Sequence, residues 1–533
     1  MMFLQKCDFN STKSAAIILA LISTIVLLPG ADADSSNWQK LQDQATAAYQ
    51  NKDFAQAQTS FSAAIAEAQN LKDNEQLGRS LNGLAMMYDA QKQYDQARDA
   101  YLKAIAAKEK ATSADSESLL PTLNNLAILD REQAKYPDAQ SIYERTVSIE
   151  EKAHGAEHPA TAVALNNLAS TLRAQAKFAE AEPLLQRCLA IMQKTYGANH
   201  PSVAKCLDNL GTLAKEQGNQ ELSEKYFQQA TAIRQKDTSS SSVLVQSEKA
   251  ESLTKMASLY RQKGEFEKAE PLLKEALSVT EQSSGPNSEN SARALNNLAM
   301  LNRELGKFTA AEPLYRQSLK IRQTLNTAPE QIASSYDNLG SLFMETEKYD
   351  LAGPMFQKGL ELRQAQDQSN PKGLQTSYNN LAELARAQGN VTKAIALARQ
   401  SLAVAQQQKD ADGDVAVSMN NLALLYKEQG DKGQSEGLFK QLVAMGEKDP
   451  NRDPVSYANN LNNLARLYRD EGKFADAEPL YKQSLALREK ALGPQSAQVG
   501  ATLRNYAILL RELNRSAEAT AMDKRAEAIE DKQ

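Results

Sequence analysis

Nine asparagines and nine bases stand at fixed places in a repeating segment, and their chemistry suits an extended peptide. The asparagines are Asn125, Asn167, Asn209, Asn297, Asn338, Asn380, Asn421, Asn463 and Asn505. The bases are Arg131, Arg173, Lys215, Arg261, Arg303, Arg386, Lys427, Arg469 and Arg511. An amide side chain both donates and accepts, so it pairs with a backbone group in any register. A guanidinium offers a planar fork to a carboxylate. Each base follows the first residue of its repeat tag by two helical turns, which puts the two on one face. Two roles fit these rows. They either line a groove and touch a ligand, or they bond neighbouring helices and form a solvated, salt-bridged surface. The second role has its own signal, because an acid directly follows several bases, as Glu132, Glu216, Glu304, Glu428, Asp470 and Glu512. The rows are interrupted at Gly83, Lys255 and Met344.

Other reactive residues are sparse. Cys188 sits on the second helix of one repeat and Cys206 near the start of the next repeat. Those helices are expected to pack, so the pair forms either one disulfide or two buried thiols that serve as small hydrophobes. His154 and His158 are four apart, the spacing of a metal pair on a helix, but Pro159 turns its predecessor away from helix and no third ligand follows. A loop role and no metal are expected. The chain has no Gly-rich phosphate loop, no Gly-x-Ser-x-Gly elbow and no His-Glu-x-x-His helix. No enzyme activity and no cofactor are expected.

The elements that must position these residues are helical hairpins. A tag, Asn-Asn-Leu-Ala at its clearest, starts at Asn82, Asn124, Asn166, Asp208, Thr254, Asn296, Asp337, Asn379, Asn420, Asn462 and Arg504. A fixed period in this range means stacked supersecondary units with no single globular core. Between Thr161 and Pro201 the spacing predicts helix A over Ala162–Gln175, with Leu165, Leu168, Ala169 and Leu172 on its apolar face. It predicts helix B over Ala179–Lys194, with Ala181, Leu184, Leu185, Cys188, Leu189 and Met192 facing inward. The turn at Ala176 is glycine in sister repeats, as Gly218, Gly264, Gly306, Gly389, Gly430 and Gly472. Proline at Pro183, Pro271, Pro313, Pro354 and Pro479 is expected in the first turn of helix B, where no amide bond is lost.

These units resemble the tetratricopeptide repeat. The small pair in helix A, the aromatic after the turn (Tyr94, Tyr136, Phe178, Phe266, Phe308, Tyr349, Phe474) and the alanine in helix B fall on its consensus. The long period, the tag and the linkers His158-Pro159 and His200-Pro201 resemble the kinesin-light-chain subtype. The resemblance implies an all-α, right-handed alpha-alpha superhelix of about twelve hairpins, with A helices on a concave wall. It implies that the tag asparagines hold extended peptides.

The ends differ from the repeats. Lys6 and Lys13 precede an apolar run, Ala15 to Leu28, then Pro29, Gly30 and the small residues Ala31 and Ala33. This is the layout of a secretory signal peptide over residues 1–33. The expected organisation is an array of about five repeats over 34–236, a Ser-rich joint over 237–247 and about seven repeats over 248–533. A polar capping helix, from about Ser516 to Asp531, ends the second array. The net charge of −5, with mixed signs, argues against nucleic acid. The sequence therefore points to an exported, periplasmic or secreted, non-catalytic scaffold for protein or peptide partners, with no membrane span after the signal is cleaved. Other readings are a kinesin-light-chain-like cargo adaptor, or an accessory subunit of an envelope enzyme or polysaccharide assembly. The absence of heptads before the repeats disfavours the adaptor.

Overall fold

A computed structural model describes residues 33–236, 243–366, 370–408, 412–448 and 453–531. The expected signal peptide falls outside them except at Ala33, and residues 237–242 of the Ser-rich joint also lie outside; from Val243 the chain is helical. Twenty-four α-helices and no strand occur among the described residues.

The helices pair in sequence as twelve hairpins, each an A helix followed by a B helix. The first six are α1 (Ala33–Gln50) with α2 (Phe54–Asn70), α3 (Asn74–Ala90) with α4 (Tyr94–Ala111), α5 (Leu120–Glu132) with α6 (Tyr136–His154), α7 (Pro159–Ala174) with α8 (Phe178–Tyr196), α9 (Pro201–Glu216) with α10 (Gln220–Lys236), and α11 (Val243–Gln262) with α12 (Phe266–Ser284). The last six are α13 (Glu289–Glu304) with α14 (Phe308–Leu325), α15 (Pro329–Glu345) with α16 (Tyr349–Gln364), α17 (Pro371–Ala387) with α18 (Val391–Gln406), α19 (Asp412–Gln429) with α20 (Lys432–Lys448), α21 (Pro454–Asp470) with α22 (Phe474–Leu492), and α23 (Ala497–Glu512) with α24 (Ser516–Glu530). The chain divides into two compact units, Met1–Val279 and Thr280–Gln533.

Local chemistry explains one hairpin and, by repetition, the others. Helix α7 begins three residues earlier than the apolar pattern predicts, because Pro159 suits a first helical position and the His158 ring caps it, Nδ1 accepting from the Ala160 amide at 3.2 Å. Leu165, Leu168, Ala169 and Leu172 are all buried. Each such leucine contributes about 2 kcal/mol of apolar burial. The turn then needs one left-handed residue, Ala176, with φ +56°. All twelve hairpins place a positive φ at this position, on glycine or on Lys52, Lys92, Ala134, Ala176, Glu347 and Asn514. The Lys177 amide reaches back to the Leu172 carbonyl at 3.0 Å and closes the helix end.

The A and B helices touch at small residues. Ala97, Ala139, Ala181, Ala311, Ala352, Ala477 and Ala519 are fully buried in the first turn of helix B. Two hairpins carry serine there, and its hydroxyl donates to the carbonyl beneath: Ser223 to Gly211 at 2.8 Å and Ser435 to Ala423 at 2.9 Å. At Gly211 an added Cβ would lie 2.7 Å from the Phe227 ring, and Gly340 faces Phe356 in the same way.

The prolines are a correction to the sequence reading. Helix B starts at Phe178, one residue before the expected Ala179, and Pro183 is its sixth residue, inside the helix and past its first turn, as are Pro271, Pro313, Pro354 and Pro479. One intrahelical bond is lost at each. Ala179 and Pro183 are both exposed, so water can take the carbonyl that the proline leaves.

Candidate functional site: the face of the A helices

Successive A helices touch one another directly, as α1 meets α3, α7 meets α9, and α15 meets α17. The tag residues lie at this seam and, apart from the exposed Arg504, their first two positions are buried or half-buried. The second asparagine of one tag donates to the first tag residue of the preceding hairpin. Asn209 Nδ2 reaches Asn166 Oδ1 at 2.5 Å, Asn338 reaches Asn296 at 2.7 Å and Asn463 reaches Asn420 at 2.9 Å. Asn505 reaches Asn462 at 3.3 Å and Asn125 reaches Asn82 at 3.5 Å. Burial pushes the Asp337 carboxyl up, and the Arg363 guanidinium and a hydrogen bond from Asn380 offset only part of that rise. The rung between Asn124 and Asn167 is unfinished: both Oδ1 atoms are buried without a donor. Asn297 and Asn421 are half-buried at equivalent places.

The basic row is joined across hairpins as well. Arg173 pairs with Glu216 at 2.8 Å, Arg386 with Glu428 at 2.6 Å, and Lys427 with Asp470 at 2.6 Å. Arg303 approaches Glu345 at 3.5 Å. In each of these pairs the acid stands one position past the basic row on the following A helix. Arg469 pairs with its own neighbour Asp470 at 2.7 Å, and Arg511 turns to Asp523 on α24. Lys215 donates to Ser258 at 2.9 Å, and Arg131 and Arg261 hold interactions of their own. Burial raises the Asp470 carboxyl, but hydrogen bonds from Lys427 and Arg469 outweigh it and leave the group below its ordinary range. These pairs are largely solvent-facing, and each is worth about 0–1 kcal/mol.

A third row escaped the sequence reading. The fifteenth residue of helix B is a buried arginine in four hairpins: Arg234, Arg322, Arg363 and Arg488. Each bonds the A helix of its own hairpin and that of the next. Arg234 joins Asp208 at 2.7 Å and also Ser252. Arg322 joins Glu289 at 3.0 Å and Ser335 at 2.8 Å. Arg363 joins Asp337 at 2.6 Å, Ser377 at 2.7 Å and Glu330 at 2.8 Å. Arg488 joins Asn459, Thr502 and the Gln498 carbonyl, the last at 2.9 Å. This row explains why two tags open with aspartate. Asp208 and Asp337 are the counter-ions of Arg234 and Arg363.

The remaining candidates have local roles. His158 and His200 each cap a helix through Nδ1, at 3.2 Å from the Ala160 and Ser202 amides. Ser288 and Ser496 do the same at the start of α13 and α23. His154 stacks on His158 with ring centroids 4.6 Å apart. Cys188 and Cys206 are buried thiols with sulfurs 2.8 Å apart, linking α8 to α9. The Cys206 hydrogen bond and burial push the Cys188 thiol up.

Tetratricopeptide-repeat models match residues 40–110, 118–194, 163–236, 248–324, 333–366, 373–448 and 456–531. The chain belongs to the tetratricopeptide repeat family. Solved structures similar to it include kinesin-light-chain repeat proteins. BtubC (BKLC) from P. vanneervenii is 24% identical, with 43% of this chain and 90% of that one covered and a TM-score of 0.38. A kinesin light chain from Podosopora anserina with nearly identical TPR-like repeats is 24% identical over 38% of this chain and 98% of that one, with a TM-score of 0.35. The apo form of RapI is 16% identical over 54% of this tetratricopeptide repeat chain and 99% of its own, with a TM-score of 0.40. No curated protein sequence matches.

Proposed function

We propose that this tetratricopeptide repeat protein is a non-catalytic scaffold that holds extended protein segments along the face of its A helices. The observation that carries this reading is the repetition itself: helix after helix presents a half-exposed amide and a weakly paired charge at the same place. An extended peptide repeats its own amides and carbonyls, so a periodic row of such groups is its natural complement. The pairs on this face are also cheap to exchange, since each contributes little on its own. We place the protein outside the cytoplasm, on the strength of the charged start, apolar run and small residues within positions 1–33. In an oxidising compartment the Cys188–Cys206 pair becomes a staple between the fourth and fifth hairpins.

Selection of randomised peptides against the full chain tests the reading. Peptides that bind the parent and lose about tenfold in affinity with Asn209→Ala or Asn463→Ala, at unchanged helicity, are the expected result. Peptides indifferent to both substitutions would overturn it.

A further inference from the structure

The joint between the third and fourth hairpins departs from its sisters at one charge. In the seventh and eighth hairpins the fifteenth residue of helix B is a base that meets an acid at the start of its own A helix. Arg322 pairs with Glu289 at 3.0 Å, and Arg363 with Glu330 at 2.8 Å. The third hairpin keeps the acid, as Glu117 in the short 3-10 turn before α5, but Glu150 on α6 takes the place of the base. His154, one turn further along α6, stands between the two carboxylates. Its Nε2 lies 3.5 Å from Glu117 and 3.6 Å from Glu150. Its ring stacks on His158, whose Nδ1 is engaged by the Ala160 amide at the start of α7.

The other charges around this cluster have partners of their own. Lys152 pairs with Asp115 at 2.7 Å, Arg187 with Glu151 at 2.7 Å, and Lys194 with Glu157. Lys108 on α4 donates to the Ser118 carbonyl at 2.8 Å. The first turns of α5 and α7 carry no charged residue. The joint also lacks two ties found elsewhere. Ala164 on α7 stands where Ser335 and Ser377 receive the arginine, and the Asn124–Asn167 rung is unfinished. Burial raises the Glu150 carboxyl, His154 offsets part of the rise, and Glu117 adds to it.

We propose that Glu117, Glu150 and His154 form a proton-dependent clasp on the joint between the third and fourth hairpins. A protonated His154 attracts both carboxylates and holds the linker that leads to His158. A neutral His154 does not, and the two carboxylates then repel. Histidine changes charge between about pH 5 and 8. Glu150 works in the same direction, because a carboxyl raised above its ordinary value binds its proton more tightly in the closed form. The clasp is therefore strongest in mild acid and is lost as the pH rises. It stands apart from the groove reading above.

Hydrogen exchange of the full chain, read by mass spectrometry over residues 113–120 and 151–161 and corrected for the intrinsic effect of pH, tests the clasp. Protection there should fall about tenfold between about pH 5.5 and about pH 8, the equivalent of one unit of proton affinity. The next joint, where Tyr196 stacks on His200, should hold steady and serves as the internal reference. Glu150→Arg copies the seventh and eighth hairpins and should keep both segments protected at either pH. His154→Tyr copies Tyr196 and should leave them equally open at either pH. Glu117→Gln changes a side chain that is 56% exposed, so the fold is kept, and it should shrink the fall. A parent with the same protection at both pH values overturns the clasp. A full tenfold fall that persists in Glu150→Arg, His154→Tyr or Glu117→Gln overturns it too.

Discussion

Arg363 and Asp337, which are 26 residues apart, form a buried ion pair at 2.6 Å, and the same guanidinium continues to Ser377 on the next A helix. One side chain therefore fixes three helices, α15, α16 and α17. Arg363→Met leaves the Asp337 carboxylate buried without its partner. The expected loss is about 3–5 kcal/mol of stability, read as a lower urea midpoint with a parallel fall in helical ellipticity. The conservative Arg363→Lys should recover only part of it, because an ammonium lacks the fork that reaches Glu330 and Asp337 together.

Gly211 and Phe227 constrain each other's size. Ala in place of Gly211 would push on a ring that is 1% exposed. Overpacking of this kind costs roughly 1–3 kcal/mol. The fourth hairpin has Ala169 and Leu185 in one core cluster at the same two places. Gly211→Ala should therefore destabilise alone and be rescued by Phe227→Leu. A double-mutant cycle by thermal unfolding checks it, and additive losses would refute the coupling.

His158 works as a cap and has the same task as Ser288. Serine at that place keeps an acceptor for the helix amide, while alanine removes it. His158→Ser should stay close to the parent, whereas His158→Ala should lose about 1 kcal/mol. Amide exchange at Ala160, measured by NMR, reports the cap directly.

Acid should weaken the Thr280–Gln533 unit over a defined range. Hydrogen bonds from Lys440 and Lys473 hold the Glu436 carboxyl down at about 2, and Lys482 and Arg515 do the same for Glu478. Both return to about 4.5 when the chain unfolds. Their contribution is complete above that value and is lost as the pH falls to about 2. Added salt should shrink the effect, since these groups face solvent. Urea midpoints followed across this range should fall less in Glu436→Gln than in the parent.

The hairpins were legible in the sequence because their causes are local. Leu165, Leu168, Ala169 and Leu172 mark a helical face by spacing alone, and the glycines at the turn mark its end. The tag rows were visible as rows. Their bonding was not, because Asn209 meets Asn166 only after two hairpins have stacked. The arginine row was hidden for a different reason. Arg234, Arg322, Arg363 and Arg488 read as ordinary surface bases near the end of a helix, and nothing local shows that they turn inward. The available clue was indirect: aspartate replaces asparagine at Asp208 and Asp337. The prolines misled because Pro183 is the fifth residue even from Ala179 and the sixth from Phe178, so neither start leaves it in the first turn.

Every rung, ion pair and arginine staple described within a unit joins a hairpin to itself or to its immediate neighbour. Removing one whole period from such an array brings together two surfaces that already fit. In the gene, an in-frame duplication or deletion of one period is then tolerated where a shorter insertion inside a helix is not. The length of the array becomes a quantity that recombination between repeated segments can adjust one hairpin at a time, while the chemistry of each hairpin drifts on its own.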